Sequence, residues 1–150
     1  MKSVLQLFAS LACALALTAC GGGSNNTTTT TPTQPAFSAT DTVVGTGIEA
    51  IAGDQLTVHY TGYLYSDTAS DHKGTKFESS KDGAGTPFTF TLGKGTVIGG
   101  WEKGIPGMKA GGKRTLIIPS DLAYGATGLG TTIPANQALV FDIELISIKR

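Results

Sequence analysis

The segment TVIGGWEKGIPGM, residues 96–108, constrains the fold of this chain more than any other feature. It holds the only tryptophan, Trp101, and its apolar residues recur at the spacing of a helix. Thr96 is a candidate N-cap, and Pro106 ends the helix one or two residues before it. Each glycine inside a helix costs about 1 kcal/mol relative to alanine, so two turns of this composition do not form alone. The helix therefore has to be held by a sheet packed around it.

The chain on both sides of this helix is predicted to form strands. Apolar and polar residues alternate in QLTVHYTGYL, PFTFTLG and ALVFDIELISIK, and RTLIIP is a short apolar run. An earlier strand is predicted at residues 42–48, although glycines interrupt it. The sequence thus predicts an α+β fold, a curved and mostly antiparallel sheet (a half-barrel) wrapped around one short helix. Trp101 is expected to point into the concave side of that sheet.

The N-terminus has the pattern of an export signal. Lys2 precedes a run of 14 residues, VLQLFASLACALAL, which is too short for a membrane-spanning helix. The following LTAC, which ends at Cys20, resembles the bacterial lipobox, in which the chain is cut before a cysteine that then carries lipid. We predict a lipoprotein signal peptide at residues 1–19 and lipidation of Cys20. An ordinary secretory signal that happens to contain Cys20 is the alternative.

A polar segment follows the predicted lipid site. Residues 21–36, GGGSNNTTTTTPTQPA, have no large apolar side chain, so they cannot offset the entropy of becoming ordered. We predict a flexible linker at residues 20–40 and a folded domain at residues 41–150. The lipobox resemblance implies an exported protein anchored by lipid to a bacterial membrane. Gly21 after the cysteine favours the outer membrane, with the domain facing the periplasm or the cell surface.

Charge and motif composition exclude several classes of function. Eleven basic and eleven acidic residues balance, so the chain lacks the positive surface that nucleic-acid binding needs. His59 and His72 have no ligand partners nearby in the sequence, and we predict no metal site and no cofactor. GKGTVIGG lacks the lysine–serine pair of a phosphate-binding loop. Asp142 and Glu144 are expected on the solvated face of their strand.

The remaining motifs resemble a known family. VHYTGYL, KFESS, PFTFTLGKGTVIGGWEKGIPGMKAGGKRTLIIP, DLAYGATG and ALVFDIELISI are together similar to the FKBP-type peptidyl-prolyl cis–trans isomerases. The resemblance covers residues 41–150 and keeps the order and nearly the spacing of the family. It implies isomerisation of X-Pro bonds in polypeptides, without a cofactor. It also implies binding of macrolide inhibitors.

The resemblance also assigns the site. It implies that Trp101 forms the floor of a hydrophobic pocket for a proline ring, and that Ile133 lines the edge. The Tyr124 hydroxyl and the backbone N–H of Ile98 would each donate a hydrogen bond to a substrate carbonyl. The implied catalytic residues are Tyr60, Phe77, Glu78, Trp101, Tyr124 and Phe141, and the implied substrate-binding residues are Phe88, Val97, Ile98 and Ile133.

Two features depart from the family pattern and keep rival functions open. Glu78 stands where the family most often has aspartate, and residues 65–75 are predicted to form a longer solvated loop than usual. A binding module of the same fold that has lost catalysis is one alternative, and a chaperone that mainly holds unfolded chains is another. The loop ATGLGTTIP is too short for the inserted domain of such chaperones. The long helical dimerisation arm of some relatives is missing too, so we predict a monomer.

Overall fold

The computed structural model describes residues 34–150. The predicted signal peptide at residues 1–19, the lipid site Cys20 and most of the predicted linker lie outside these residues. No helix within residues 34–150 is long and apolar enough to cross a membrane. The elements are β1 (Ser38–Val43), β2 (Gln55–Tyr65), β3 (Lys73–Ser79), β4 (Phe88–Thr91), α1 (Gly99–Gly104), β5 (Lys113–Ile118), a 3₁₀ turn (Ser120–Leu122) and β6 (Leu139–Lys149).

Within the described chain the strands form one six-stranded sheet in the order β1-β5-β6-β2-β3, with β4 also paired to β2. Every pairing is antiparallel. The long strand β2 pairs with β4 through its first half and with β3 through its second half, so two strands share one side of it. The sheet curves around α1, which confirms the predicted α+β fold.

Alternating residues of the sheet form the core against which the helix packs. Leu56 and Val58 of β2 and Leu116 and Ile118 of β5 are all fully buried. Helix α1 lies close to β5, since a Cβ added at Gly100 would come within 2.4 Å of Ile118 Cγ2. The glycines that weaken this helix are thus needed for its close approach to the sheet.

The start of α1 differs from the prediction. The N-cap residue is Ile98 and has no side-chain capping bond, so Thr96 does not cap the helix. Instead the Glu102 carboxylate accepts the backbone N–H groups of Gly93 and Gly95, at 2.6 and 2.8 Å. A side chain of the helix, Glu102, therefore binds the preceding loop, and no side chain of that loop caps the helix.

The folded chain begins earlier than predicted. Strand β1 starts at Ser38, so the predicted linker to residue 40 and the predicted strand at residues 42–48 both have wrong limits. Arg114 of β5 donates to both carboxylate oxygens of Asp41, at 2.6 and 3.0 Å, and lowers the pKa of that carboxyl through the bond and its charge. Phe37 packs against the core just before the strand. Pairing with β5, rather than hydrophobic alternation, fixes this strand.

The loop after β2 is shorter than predicted. The predicted loop at residues 65–75 shrinks to residues 66–72, because β2 runs to Tyr65 and β3 begins at Lys73. The Tyr65 ring stacks on His72 with 5.1 Å between the centroids. Lys73 Nζ lies 2.8 Å from Asp142 on β6, and these contacts hold both ends of the loop to the sheet.

Candidate active site

A cavity of about 470 Å³ opens between α1 and the concave face of the sheet. Strands β2, β4 and β6 contribute its aromatic walls, and the segments before α1 and after the 3₁₀ turn close its sides. The size and the apolar lining are typical of a small-molecule or peptide side-chain pocket. The lining residues are Tyr60, Glu78, Phe88, Gly95, Thr96, Val97, Ile98, Trp101, Ala123, Tyr124 and Phe141.

The floor of the cavity is an aromatic cluster centred on Trp101. The indole is 4% exposed and lies 5.2 Å from the Tyr60 ring and 5.4 Å from the Phe141 ring, both edge to face. Phe88 and Phe90 of β4 contact it at centroid distances of 6.2 and 5.7 Å. The indole Nε1 is buried and has no hydrogen-bond partner within residues 34–150. The floor is therefore held by ring packing, and it presents an aromatic surface to a ligand.

Phe77 supports this pocket from outside the lining. It was predicted to be a wall, but it does not line the cavity and packs edge to face on Phe141 at 5.6 Å. Gly62 makes room for this contact, because a Cβ there would lie 2.5 Å from Phe77 Cζ and 2.8 Å from Phe141 Cε1. Phe77 thus fixes the orientation of the wall residue Phe141.

Ile133 also differs from its predicted place at the pocket edge. It is fully buried in the hydrophobic core and does not line the cavity. The bridge between Leu129 and Ile133 folds the loop back on itself and brings this side chain into the core. Ile133 therefore anchors its loop to the core, and it is not among the residues that line the cavity.

Two tyrosines and one carboxylate give the pocket its polarity. Burial, and then a hydrogen bond to Glu78 and the charge of Glu78, raise the pKa of Tyr60 to about 12. Burial and the Glu78 charge also raise the pKa of Tyr124. Both phenols therefore stay protonated near neutral pH. Glu78 lies near the Tyr60 hydroxyl, and the Tyr124 hydroxyl makes no hydrogen bond within the described chain.

Another unpaired donor, besides the Tyr124 hydroxyl, lies at the start of α1. The Ile98 carbonyl accepts the N–H groups of Trp101 and Glu102, at 2.9 and 3.2 Å. The Ile98 N–H itself has no acceptor within residues 34–150, and Ile98 lines the cavity. Together with the Tyr124 hydroxyl it provides two donors for the carbonyl groups of a bound ligand.

The sequence prediction missed three lining residues, Gly95, Thr96 and Ala123. Each is small and stands directly beside a predicted site residue or in the loop before α1. Their position next to Val97 and Tyr124 was the only available signal.

The comparisons with known proteins agree on one family. Residues 47–146 match the model for the FKBP-type peptidyl-prolyl cis-trans isomerase family. The protein named FK506-binding protein from Neisseria meningitidis serogroup A is 49% identical over 108 residues, which cover 72% of this chain and 92% of that protein. The peptidyl-prolyl cis-trans isomerase FPR2 of Saccharomyces cerevisiae is 48% identical over 102 residues, or 68% of this chain and 70% of that protein.

A solved structure agrees with these sequence matches. The peptidyl-prolyl cis-trans isomerase from Pseudomonas syringae pv. tomato has 37% identity and a TM-score of 0.62, and the alignment covers 76% of each chain. The matched residues 47–146 include the aromatic floor, the Ile98 N–H, the Tyr124 hydroxyl and all of the sheet except β1 and the last residues of β6. By sequence and by fold, this chain therefore belongs to the FKBP-type peptidyl-prolyl cis-trans isomerases, as its motifs predicted.

Proposed function

We propose that the cavity takes up the proline ring of a polypeptide on Trp101 and lowers the barrier to rotation of the preceding amide bond. That barrier is about 18–20 kcal/mol and reflects the amide resonance that places charge on the carbonyl oxygen. A dry aromatic pocket favours the twisted, less polar amide over the planar one. The observation that carries this proposal is an aromatic floor beside two hydrogen-bond donors that have no partner within residues 34–150, the Ile98 N–H and the Tyr124 hydroxyl.

The two donors have distinct roles in this proposal. The Ile98 N–H and the Tyr124 hydroxyl bind carbonyl oxygens on the two sides of the proline and hold the chain in a turn. The Tyr60 ring packs edge to face on Trp101, and in this proposal the nearby Glu78 carboxylate orients the Tyr60 hydroxyl. No bond is made or broken, so none of these groups acts as a nucleophile or as a base.

Replacing Tyr124 by phenylalanine is expected to lower kcat/KM about fivefold and to leave folding almost intact. A neutral hydrogen bond contributes about 1 kcal/mol, and this hydroxyl makes none within the described protein that folding would lose. The measurement is cis–trans exchange on a Leu-Pro peptide with the full chain, together with urea unfolding.

Tyr63→Phe is the matched control, because Tyr63 does not line the cavity. It is expected to leave kcat/KM unchanged. A Tyr124→Phe variant that unfolds would contradict the assignment of this hydroxyl to the substrate. Peptide binding by the wild-type chain without exchange would instead support the binding module, and Glu78→Asp would then show whether the longer carboxylate side chain has removed catalysis.

We also propose that the protein acts on exported polypeptides while a lipid on Cys20 anchors it as a monomer to a bacterial membrane. The proposal rests on the basic start, the short apolar run and LTAC. Two or more acyl chains hold a protein durably at a membrane, whereas one does not. The name of the Neisseria relative, FK506-binding protein, supports a further proposal, that the apolar cavity accepts a macrolide of that type.

Replacing Cys20 by serine is expected to move the protein from the membrane fraction to the soluble fraction of the cells that make it. The serine hydroxyl cannot take the place of the thiol that carries the lipid. Fractionation and mass spectrometry of the wild-type chain and of Cys13→Ser provide the comparison. Equal membrane retention of Cys20→Ser and wild type would contradict the lipid anchor.

A further inference from the structure

Four hydrogen bonds close a ring around the loop that carries Tyr124. The Ser120 N–H donates to Gln34 Oε1, and the Gly125 N–H donates to the Ser120 carbonyl, each at 2.8 Å. The Asn136 N–H donates to the Gly125 carbonyl, and Gln34 Nε2 donates to the Asn136 carbonyl, again at 2.8 Å. We propose that Gln34 is a positioning residue, whose carboxamide fixes the loop of Tyr124 and thereby the direction of its hydroxyl.

The ring holds Tyr124 on both sides along the chain. Ser120 begins the 3₁₀ turn that leads to Tyr124, and Gly125 directly follows that residue. Among the described residues, the Tyr124 carbonyl accepts one bond, and this is longer, 3.2 Å from the Gly128 N–H. Without the Gln34 carboxamide, the loop of Tyr124 and the loop of Asn136 would be joined by one bond of the ring, from the Asn136 N–H to the Gly125 carbonyl. The direction of the hydroxyl would then be less restricted.

Gln34 can have this role because the residues that follow it are themselves fixed. Phe37 packs against the core, and Lys103 Nζ lies 4.6 Å from the centre of its ring. Ser38 then pairs with Ile117 of β5, the strand whose end leads into the 3₁₀ turn. The backbone of Gln34 is therefore close to residues that are held in place by the core and by β5. Its carboxamide oxygen accepts a hydrogen bond from one loop, and its carboxamide nitrogen donates one to the other.

Gln34 lies outside the part of the chain that matches the family. Gln34 precedes the matched residues 47–146, and it stands within the polar stretch that the sequence predicted to be linker. The folded unit therefore includes a residue of that stretch in the support of its pocket. The inference rests on the proposed role of the Tyr124 hydroxyl, and the test separates the two.

The test is a double-mutant cycle in the full chain with Gln34→Ala, Tyr124→Phe and the double variant. Cis–trans exchange on a Leu-Pro peptide gives kcat/KM, and a tryptophan fluorescence titration gives the Kd of the same peptide. Gln34→Ala is expected to lower kcat/KM about threefold in the wild-type background, as a misdirected neutral hydrogen bond would. In the Tyr124→Phe background the same change is expected to have almost no effect.

Gln137→Ala is the matched control, since the Gln137 carboxamide donates to the Tyr65 and Ala138 carbonyls, at 3.1 and 2.9 Å, and is no member of the ring. It removes comparable bonds but is expected to leave kcat/KM unchanged. Amide hydrogen exchange adds an independent readout, because Gln34→Ala is expected to speed the exchange of the Ser120 N–H.

Three results would overturn the proposal. They are an unchanged kcat/KM in Gln34→Ala, an equal loss in both backgrounds of the cycle, and an equal loss in Gln137→Ala. If the wild-type chain shows no isomerisation, the proposed function fails, and the cycle is then evaluated on the peptide Kd. A coupled loss of peptide affinity would still support the positioning role, and an additive loss would refute it.

Discussion

Replacing Trp101 by alanine is expected to lower the free energy of unfolding by about 3–5 kcal/mol and to abolish isomerisation. The indole is 4% exposed, and four aromatic rings surround it at centroid distances of 5.2–6.2 Å. Its Nε1 has no partner within residues 34–150, so the whole cost is lost packing and the cavity that remains. The same packing forms the floor of the pocket, which is why stability and activity fall together.

Urea unfolding and peptide exchange measure the two losses separately. Trp101→Phe serves as the milder variant, because it keeps an aromatic floor with a smaller gap and is expected to lose less stability. It should stay folded at the assay temperature even if Trp101→Ala does not. A Trp101→Ala protein within about 1 kcal/mol of wild type would contradict the central place of the indole in the core.

The sequence predicted the strands and the helix wherever burial imposes a pattern. Strands β2 and β6 alternate because one face of each packs on the core, and the helix segment was recognised by the spacing around Trp101. Strand β3 was missed and β1 was misplaced because most of their residues are exposed. Strand β3 is fixed by its pairing with β2, and β1 by its pairing with β5. Neither strand has the alternation of apolar and polar residues that would have revealed it in the sequence.

The family resemblance named eight of the eleven residues that line the cavity, and their roles in catalysis and binding stay predictions. Two other named residues lie outside the lining for physical reasons. Phe77 and Ile133 were assigned to the pocket surface, but Gly62 lets Phe77 pack behind Phe141, and a bridge to Leu129 brings Ile133 into the core. Gln34 could not be predicted, because its two partners are 86 and 102 residues away in the sequence. Contacts of this range depend on the assembled fold.

Replacing Gly100 by alanine is expected to lower the free energy of unfolding by about 1–3 kcal/mol, although alanine is the better helix former. Removing a helical glycine gains about 1 kcal/mol. Against this gain, the new Cβ would lie 2.4 Å from Ile118 Cγ2 and 2.6 Å from Ile118 Cδ1. Ile118 is fully buried and cannot move away freely, so the helix has to shift from the sheet. That shift carries the neighbouring Trp101 with it, and kcat/KM should fall as well.

Gly99 provides the matched control in the same helix. A Cβ there would meet its nearest atoms, both of Leu122, at 3.6 Å, which is ordinary van der Waals contact. Gly99→Ala is therefore expected to keep the propensity gain without the clash, and to raise stability by up to about 1 kcal/mol. Urea unfolding of both variants measures the difference. A gain of stability in both variants would show that helix propensity dominates at both positions. A loss in Gly100→Ala beside a gain in Gly99→Ala would show that contact with β5 requires glycine at position 100.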